Sequence, residues 1–204
     1  MNIITKGQSD QLDFHFIKEV KERSCQPLDL CYHCQKCSAG CQVASYTDFR
    51  PNQIVRMIQF GLKGELLKSS AIWLCVNCET CGARCPNGIS ISAVTDTLRE
   101  IAIEENVPAA VKNIPIFHHS FLNSVKSNGR VHEPVMLVRY KIKSGKLLED
   151  IKMGMDLFAK GKMPLFPSRT KNKDLVKQIF DRAEKTDFKA CGQNNSASSA
   201  VERG

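Results

Sequence analysis

The chain has no run approaching the roughly 18 consecutive apolar residues that a membrane-crossing helix requires. Its longest apolar candidates, Ala71 to Val76 and Pro134 to Val138, fall far short, so no direct membrane insertion is expected and any membrane link must run through a partner. The opening residues MNIITKGQSDQLDF lack the basic start and apolar stretch of a secretory signal, which points to a reducing, cytoplasmic setting. There is no G-x-G-x-x-G for a flavin or nicotinamide, no G-x-S-x-G and no H-E-x-x-H. No substrate-transforming site of its own is expected.

Charge of one sign is scarce only in the second half. Residues 1–106 carry 11 basic and 12 acidic side chains, whereas residues 107–204 carry 18 basic and 9 acidic, and this places the whole net charge of +8 in the second half. That basic half lacks interleaved aromatics, Gly-rich phosphate loops and any nucleic-acid motif. It reads as a solvated face or a docking surface for an acidic protein, with no nucleic acid as partner.

Cysteine is what the chain has in excess. Eight of its ten cysteines form two runs spaced C-x2-C-x2-C-x3-C: Cys31, Cys34, Cys37 and Cys41, then Cys75, Cys78, Cys81 and Cys85. In a reducing compartment such runs favour metal over disulfide. The spacing is that of two-cluster bacterial ferredoxins, in which three close thiolates hold three corners of a [4Fe-4S] cube and the fourth reaches the other cube. On that spacing Cys31, Cys34, Cys37 and Cys85 hold one cluster, and Cys75, Cys78, Cys81 and Cys41 hold the other. The expected cofactors are two [4Fe-4S] clusters, and the expected chemistry is electron relay between them. Zinc is the competing occupant, but a four-cysteine zinc site needs only two C-x2-C pairs, which leaves the third close cysteine of each run without a purpose.

Pro86 follows Cys85 as the C-P ending of such runs does, while Gln42 stands after Cys41. Proline there shapes the turn without binding metal, so the departure touches local geometry more than occupancy. Backbone amides of the loops, those of Gly40 and Gly82 among them, are candidates to donate to cluster sulfur. Cys25 and Cys191 have no partner at ligand spacing and read as bystanders. His33 reads as a loop side chain. His118 and His119 are adjacent and diverge on a helix, and His15 and His132 have no companion ligands.

The remaining pattern is helical. A first amphipathic helix is expected over Ser9 to Ser24, with Leu12, Phe16, Ile17 and Val20 inward and Ser9 or Asp10 as cap. Pro51 opens a second helix, with Ile54, Val55 and Ile58 on one face and Gly61 as its stop. A short helix is expected over Glu65 to Trp73. A longer one follows over Ser90 to Glu105, with Ile91, Val94, Leu98, Ile101 and Ala102 as its inner stripe. The 33 residues between Cys41 and Cys75 have helical period and no strand alternation. The fold class is therefore all-α, with two pseudo-repeated cysteine runs followed by a helical extension. Residues 1–106 are expected to form the cluster domain and 107–188 a basic helical extension for partner docking. Helical stretches in that extension lie near Val111 to Val125, His132 to Ile142, Leu147 to Phe158 and Leu175 to Ala183, and Pro115 kinks the first or marks its true start. Residues 189–204 are small and polar and read as a disordered tail.

The runs CYHCQKCSAGC and CVNCETCGARCP, set among helices, resemble the alpha-helical ferredoxin domain. That domain is found in iron-sulfur subunits of succinate dehydrogenase, fumarate reductase, glycolate oxidase and anaerobic glycerol-3-phosphate dehydrogenase, and in the C-type subunit of heterodisulfide reductase. The last is the nearest likeness. No plant-type [2Fe-2S] run precedes the domain, and FHHSFLNSVKSNGRVHEPVMLVRYKIKSG with GKMPLFPSRTKNKDLVKQIF resembles the region that follows the clusters in that C-type family. The resemblance implies an electron-transfer subunit of a cytoplasmic heterodisulfide reductase-like complex, an oxidoreductase in which it is itself non-catalytic. Its partners would be the flavin-containing A-type subunit and the cysteine-rich B-type subunit, which acts on a disulfide or thiol. This chain has no Cys-Cys pair, so the B-type chemistry must lie elsewhere. The alternatives are an iron-sulfur subunit serving another flavin-dependent dehydrogenase and, more remotely, a non-redox zinc scaffold.

Overall fold

The computed structural model describes residues 13–145, 160, 170 and 172–185. Residues 9–12 of the first expected helix, the stretch Leu147 to Phe158, Cys191 and the polar tail lie outside the described residues. The described chain falls into two compact units that divide between Val111 and Lys112. Every regular element among the described residues is helical.

The first unit runs α1 (Phe14–Ser24), a 3-10 turn (Leu28–Leu30), α2 (Lys36–Ala39), α3 (Pro51–Gln59), α4 (Lys63–Leu67), α5 (Ala71–Leu74), α6 (Thr80–Arg84) and α7 (Ile91–Glu104). α7 forms the spine. Its stripe Ile91, Val94, Leu98, Ile101 and Ala102 is buried as its period requires, and so are Phe16 and Val20 of α1, the helix packed along it. Each of the larger apolar side chains among these contributes about 2 kcal/mol by leaving water. Ser90 caps α7, its Oγ accepting the Ala93 N–H at 3.3 Å. α3 likewise buries Ile54, Val55 and Ile58 behind Pro51.

Two expectations are corrected here. Asp13, and not Ser9 or Asp10, caps α1, accepting the His15 N–H at 2.9 Å. The Asp13 N–H in turn donates to the Gly61 carbonyl at 3.1 Å. Gly61 has φ of +69°, and an added Cβ would lie 2.7 Å from the Asp13 carbonyl oxygen, so both conformation and space demand glycine. The helix expected over Glu65 to Trp73 is broken into α4 and α5. Asp48, distant in sequence, accepts the N–H groups of Ser70 at 2.7 Å and Ala71 at 3.0 Å, which starts a new helix there.

Ion pairs fasten α1 to α7 at the open side of this packing. Arg23 donates through both terminal nitrogens to Glu104 at 2.7 Å and reaches Glu100 at 3.3 Å. The hydrogen bond from Arg23 holds the Glu104 carboxyl below its ordinary range. Lys63 joins Glu105 and Glu19; burial pulls its ammonium down, but these two carboxylates more than reverse that.

The second unit contains α8 (Asn113–Asn128), α9 (Glu133–Ser144) and α10 (Lys173–Lys185). Pro115 lies in the first turn of α8 and so marks its start. Gly129 ends α8 in the left-handed region. His132, without companions in the sequence, proves to be the buried cap of α9: its Nδ1 accepts the Val135 N–H at 3.4 Å, and its own N–H donates to Ser124 Oγ at 2.9 Å. Phe117 of α8 meets Tyr140 of α9 edge to face at 5.8 Å. Lys126 of α8 pairs with Asp181 of α10 at 3.4 Å. Small polar residues, Ser120 and Ser124, are buried in α8 while Leu122 stays half exposed. No helix among the described residues is long and apolar enough to cross a membrane.

Candidate metal centres

Each position of the second cysteine run lies 44 residues after its counterpart in the first, and the backbone repeats with it. His33 and Gln35 in the first loop have φ of 56° and 62°; their counterparts Asn77 and Glu79 have 50° and 57°. These left-handed, non-glycine residues curl each loop so that successive thiols turn to one side. A short helix follows in both, α2 after Gln35 and α6 after Glu79. Hydrogen bonds repeat as well: Ala39 N–H to Gln35 C=O and Ala83 N–H to Glu79 C=O, then Cys41 N–H to Ser38 C=O and Cys85 N–H to Gly82 C=O.

α2 packs against α6, and this exchanges the ends of the runs. One cavity is lined by Cys31, Cys34, Cys37 and Cys85, together with Tyr32, His33, Asn52 and Pro86. The other is lined by Cys75, Cys78, Cys81 and Cys41, together with Val43, Ile54, Ile91 and Thr95. All eight are free thiols; Cys34 and Cys78, equivalent in the repeat, are exposed and the other six are half-buried. Cys25 lies outside the runs, at the left-handed C-cap of α1.

The thiols of a cavity do not meet at a point, as the ligands of a single ion must. Among the described residues no three His, Cys, Asp or Glu side chains do so. Four thiols set around a cavity suit a cube that offers each its own iron. Burial pushes the Cys37 thiol up despite hydrogen bonding from Ser38, whereas hydrogen bonding with Thr80 draws the exposed Cys78 down. Burial also lowers the basicity of His33, with Arg56 adding to the effect.

The two loops share one braced point, the carbonyls of Leu28 and Ile72, and otherwise are braced at neighbouring points by different chemistry. Gln59 of α3 donates to the Leu28 carbonyl at 2.9 Å, and Asn87 donates to that of Leu30. In the second half Arg99 of α7 donates to the carbonyls of Ile72, the counterpart of Leu28, and of Cys75, the latter at 2.6 Å. Asp96 holds Arg99 at 2.7 Å and accepts from the left-handed Asn77 at 2.6 Å. The first run is tied to α3 through buried Ser38, whose Oγ accepts the Asn52 N–H at 3.0 Å and donates to the Asn52 side chain at 2.6 Å. The second run has Gly82 at that position, and the Glu79 carboxylate serves instead, accepting from Ser90 at 2.9 Å and from Ser92. No spacing in the sequence marks these braces; their one local sign is the set of polar residues flanking the apolar stripe of α7.

Residues 27–89 match the 4Fe-4S dicluster domain family. Over 101 residues, half of this chain, the protein is 34% identical to the C-type subunit of the H(2):CoB-CoM heterodisulfide,ferredoxin reductase of Methanothermobacter thermautotrophicus, covering 53% of that protein. It is 30% identical over 114 residues to the C-type iron-sulfur subunit of the CoB--CoM heterodisulfide reductase of Methanopyrus kandleri, covering 55% of this chain and 59% of that one. A further iron-sulfur subunit of the same type, from Methanocaldococcus jannaschii, is 29% identical over 133 residues, 61% of this chain and 71% of that one. The chain spans about half the length of the first of these relatives. The matched domain carries two [4Fe-4S] clusters, and its role is iron-sulfur electron transfer.

Proposed function

We propose, with the dicluster domain over residues 27–89 as premise, that this chain is the electron-transfer subunit of a cytoplasmic heterodisulfide reductase-like complex. Its partners are a flavin-containing A-type subunit and a cysteine-rich, disulfide- or thiol-active B-type subunit. Cys31, Cys34, Cys37 and Cys85 hold one cluster and Cys75, Cys78, Cys81 and Cys41 the other. The observation that carries this reading is the division of eight thiols between two cavities with the fourth cysteine of each run exchanged. The bound clusters supply one-electron chemistry. The chain's contribution is to hold them as neighbours, because the exchanged thiols Cys41 and Cys85 stand at the ends of two helices in contact.

Access is supported by exposure. Tyr32 and Val76, equivalent residues beside the first thiol of each run, are 73% and 62% exposed, so each centre has its own apolar margin for a donor or acceptor protein. Residues 107–188 form the docking extension. On α9 the stripe Val135, Val138 and Ile142 is about half exposed, with Arg139 and Lys143 along one side, which suits a partner surface that is apolar with an acidic edge.

The test is co-expression of the full chain with the proteins encoded beside it, followed by affinity capture and metal analysis. The expected result is a brown complex containing a flavoprotein and a cysteine-rich protein, with about eight iron and eight acid-labile sulfide per copy of this chain. Recovery of a glycolate- or glycerol-phosphate-type flavoprotein alone would move the chain to another dehydrogenase. Zinc without sulfide would end the electron-transfer reading altogether.

A further inference from the structure

The point where the two runs cross is occupied by one cation. Gly40 and Arg84 are counterparts in the repeat, each preceding the fourth cysteine of its run. They face each other: a Cβ added to Gly40 would lie 2.8 Å from Arg84 Cδ and Nε and 2.9 Å from its Cζ. The guanidinium of Arg84 therefore rests on the peptide that leads into Cys41, while its own backbone leads into Cys85. Gly40 has φ of −101° and ψ of −1°, a region open to any residue. Glycine is required there for room alone, and the room is filled by Arg84. Among the described residues no carboxylate pairs with Arg84, unlike Arg23 and Arg99, which are both held by acids.

We propose that Arg84, seated on Gly40, is a shared electrostatic tuning residue that raises the reduction potentials of both centres and eases their simultaneous reduction. This rests on the ligand assignment above. A thiolate-bound [4Fe-4S] centre is anionic and gains a further negative charge on reduction, so a nearby cation favours the reduced form, by an amount that water screens in part because Arg84 is exposed. Placing that cation at the crossing lets one side chain act on two centres, which a charge on the outer rim of either loop could not do. It also offsets the repulsion that the first electron imposes on the second. The arrangement uses the pseudo-symmetry unequally: one half supplies the charge and the other the space.

The experiment is a mediated redox titration of the full chain followed by electron paramagnetic resonance. It compares wild type with Arg84→Gln, Arg84→Lys, Gly40→Ala and the Arg84→Gln/Gly40→Ala pair. Arg84→Gln should lower both midpoint potentials, and Arg84→Lys should recover most of the loss. Gly40→Ala should lower both by a smaller amount because its methyl displaces the guanidinium, and in the double variant it should add nothing to Arg84→Gln. Potentials unchanged in Arg84→Gln, a shift confined to one centre, or a lysine variant that behaves like glutamine would overturn the proposal. If Arg84→Gln loses iron, Gly40→Ala and Arg84→Lys decide the matter. A wild-type chain without iron and sulfide would instead reveal failure of the cluster reading itself, before any variant is compared.

Discussion

The two cysteine runs share backbone shape but not bracing, and the difference separates what the sites require from what the surrounding helices happen to supply. Both loops carry a pair of left-handed residues and a short helix. The first is steadied by neutral amides, Gln59 and Asn87, and by Ser38. The second is steadied by charge, through Arg99, Asp96 and Glu79. Shape common to both is what binding demands. Bracing is free to vary because any donor that satisfies the same carbonyl will serve.

The largest effect that can break this comparison comes from the exchanged thiols. Cys85→Ala should remove the cluster assigned to the first run, and Cys41→Ala that of the second, each lowering iron from about eight to about four per chain. Loss of the cluster of the same run in either variant would show that the runs are self-contained. Next come the braces. Arg99→Leu leaves two carbonyls without their donor and removes one of the two donors to Asp96, and should lower stability by about 3 kcal/mol, against about 1 kcal/mol for Gln59→Leu. Denaturation of both variants measures this, and equal losses would refute the division into charged and neutral halves. Ser38→Ala should cost about 1–2 kcal/mol because it strands the Asn52 N–H. Its selective effect would be faster loss to chelator of the first centre.

The smallest effect is one of pH. Glu104 is held below its ordinary carboxyl range by Arg23, so its contribution to stability is present above the unfolded-state value of about 4.5 and is lost as pH falls through the lower folded-state value. Arg23→Met should therefore be less stable than wild type at neutral pH, and the gap should narrow on acidification below that range. A gap that stays constant with pH would mean that Arg23 stabilises by packing alone.

What the sequence made legible was whatever depends on spacing. The eight thiols, the offset between the runs and the inner stripe of α7 all follow from regular intervals, and each reappears in the fold. Features set by a distant residue stayed hidden. The break between α4 and α5 depends on Asp48 reaching Ser70, and no local pattern encodes that reach. α2 and α6 are too short for a hydrophobic period to register. In α8 the buried positions Ser120 and Ser124 are small and polar, and Ser120 satisfies its hydroxyl on the Ile116 carbonyl at 2.8 Å. A reading by apolar periodicity assigns that face to water. Arg84 and Gly40 were likewise invisible as a pair, since only the crossing of the runs brings them together.

The left-handed residues of the loops have one more consequence. His33, Gln35, Asn77 and Glu79 each hold a backbone shape that costs a non-glycine residue roughly 1 kcal/mol, less for asparagine. Four such residues around two cofactors make the emptied chain a sprung form of the filled one. Chelation should release these loops before it loosens α1 or α7, and exchange of amide hydrogens would register it there first. Loading and unloading then act as a latch confined to two short segments, leaving the helical frame ready to receive its iron again.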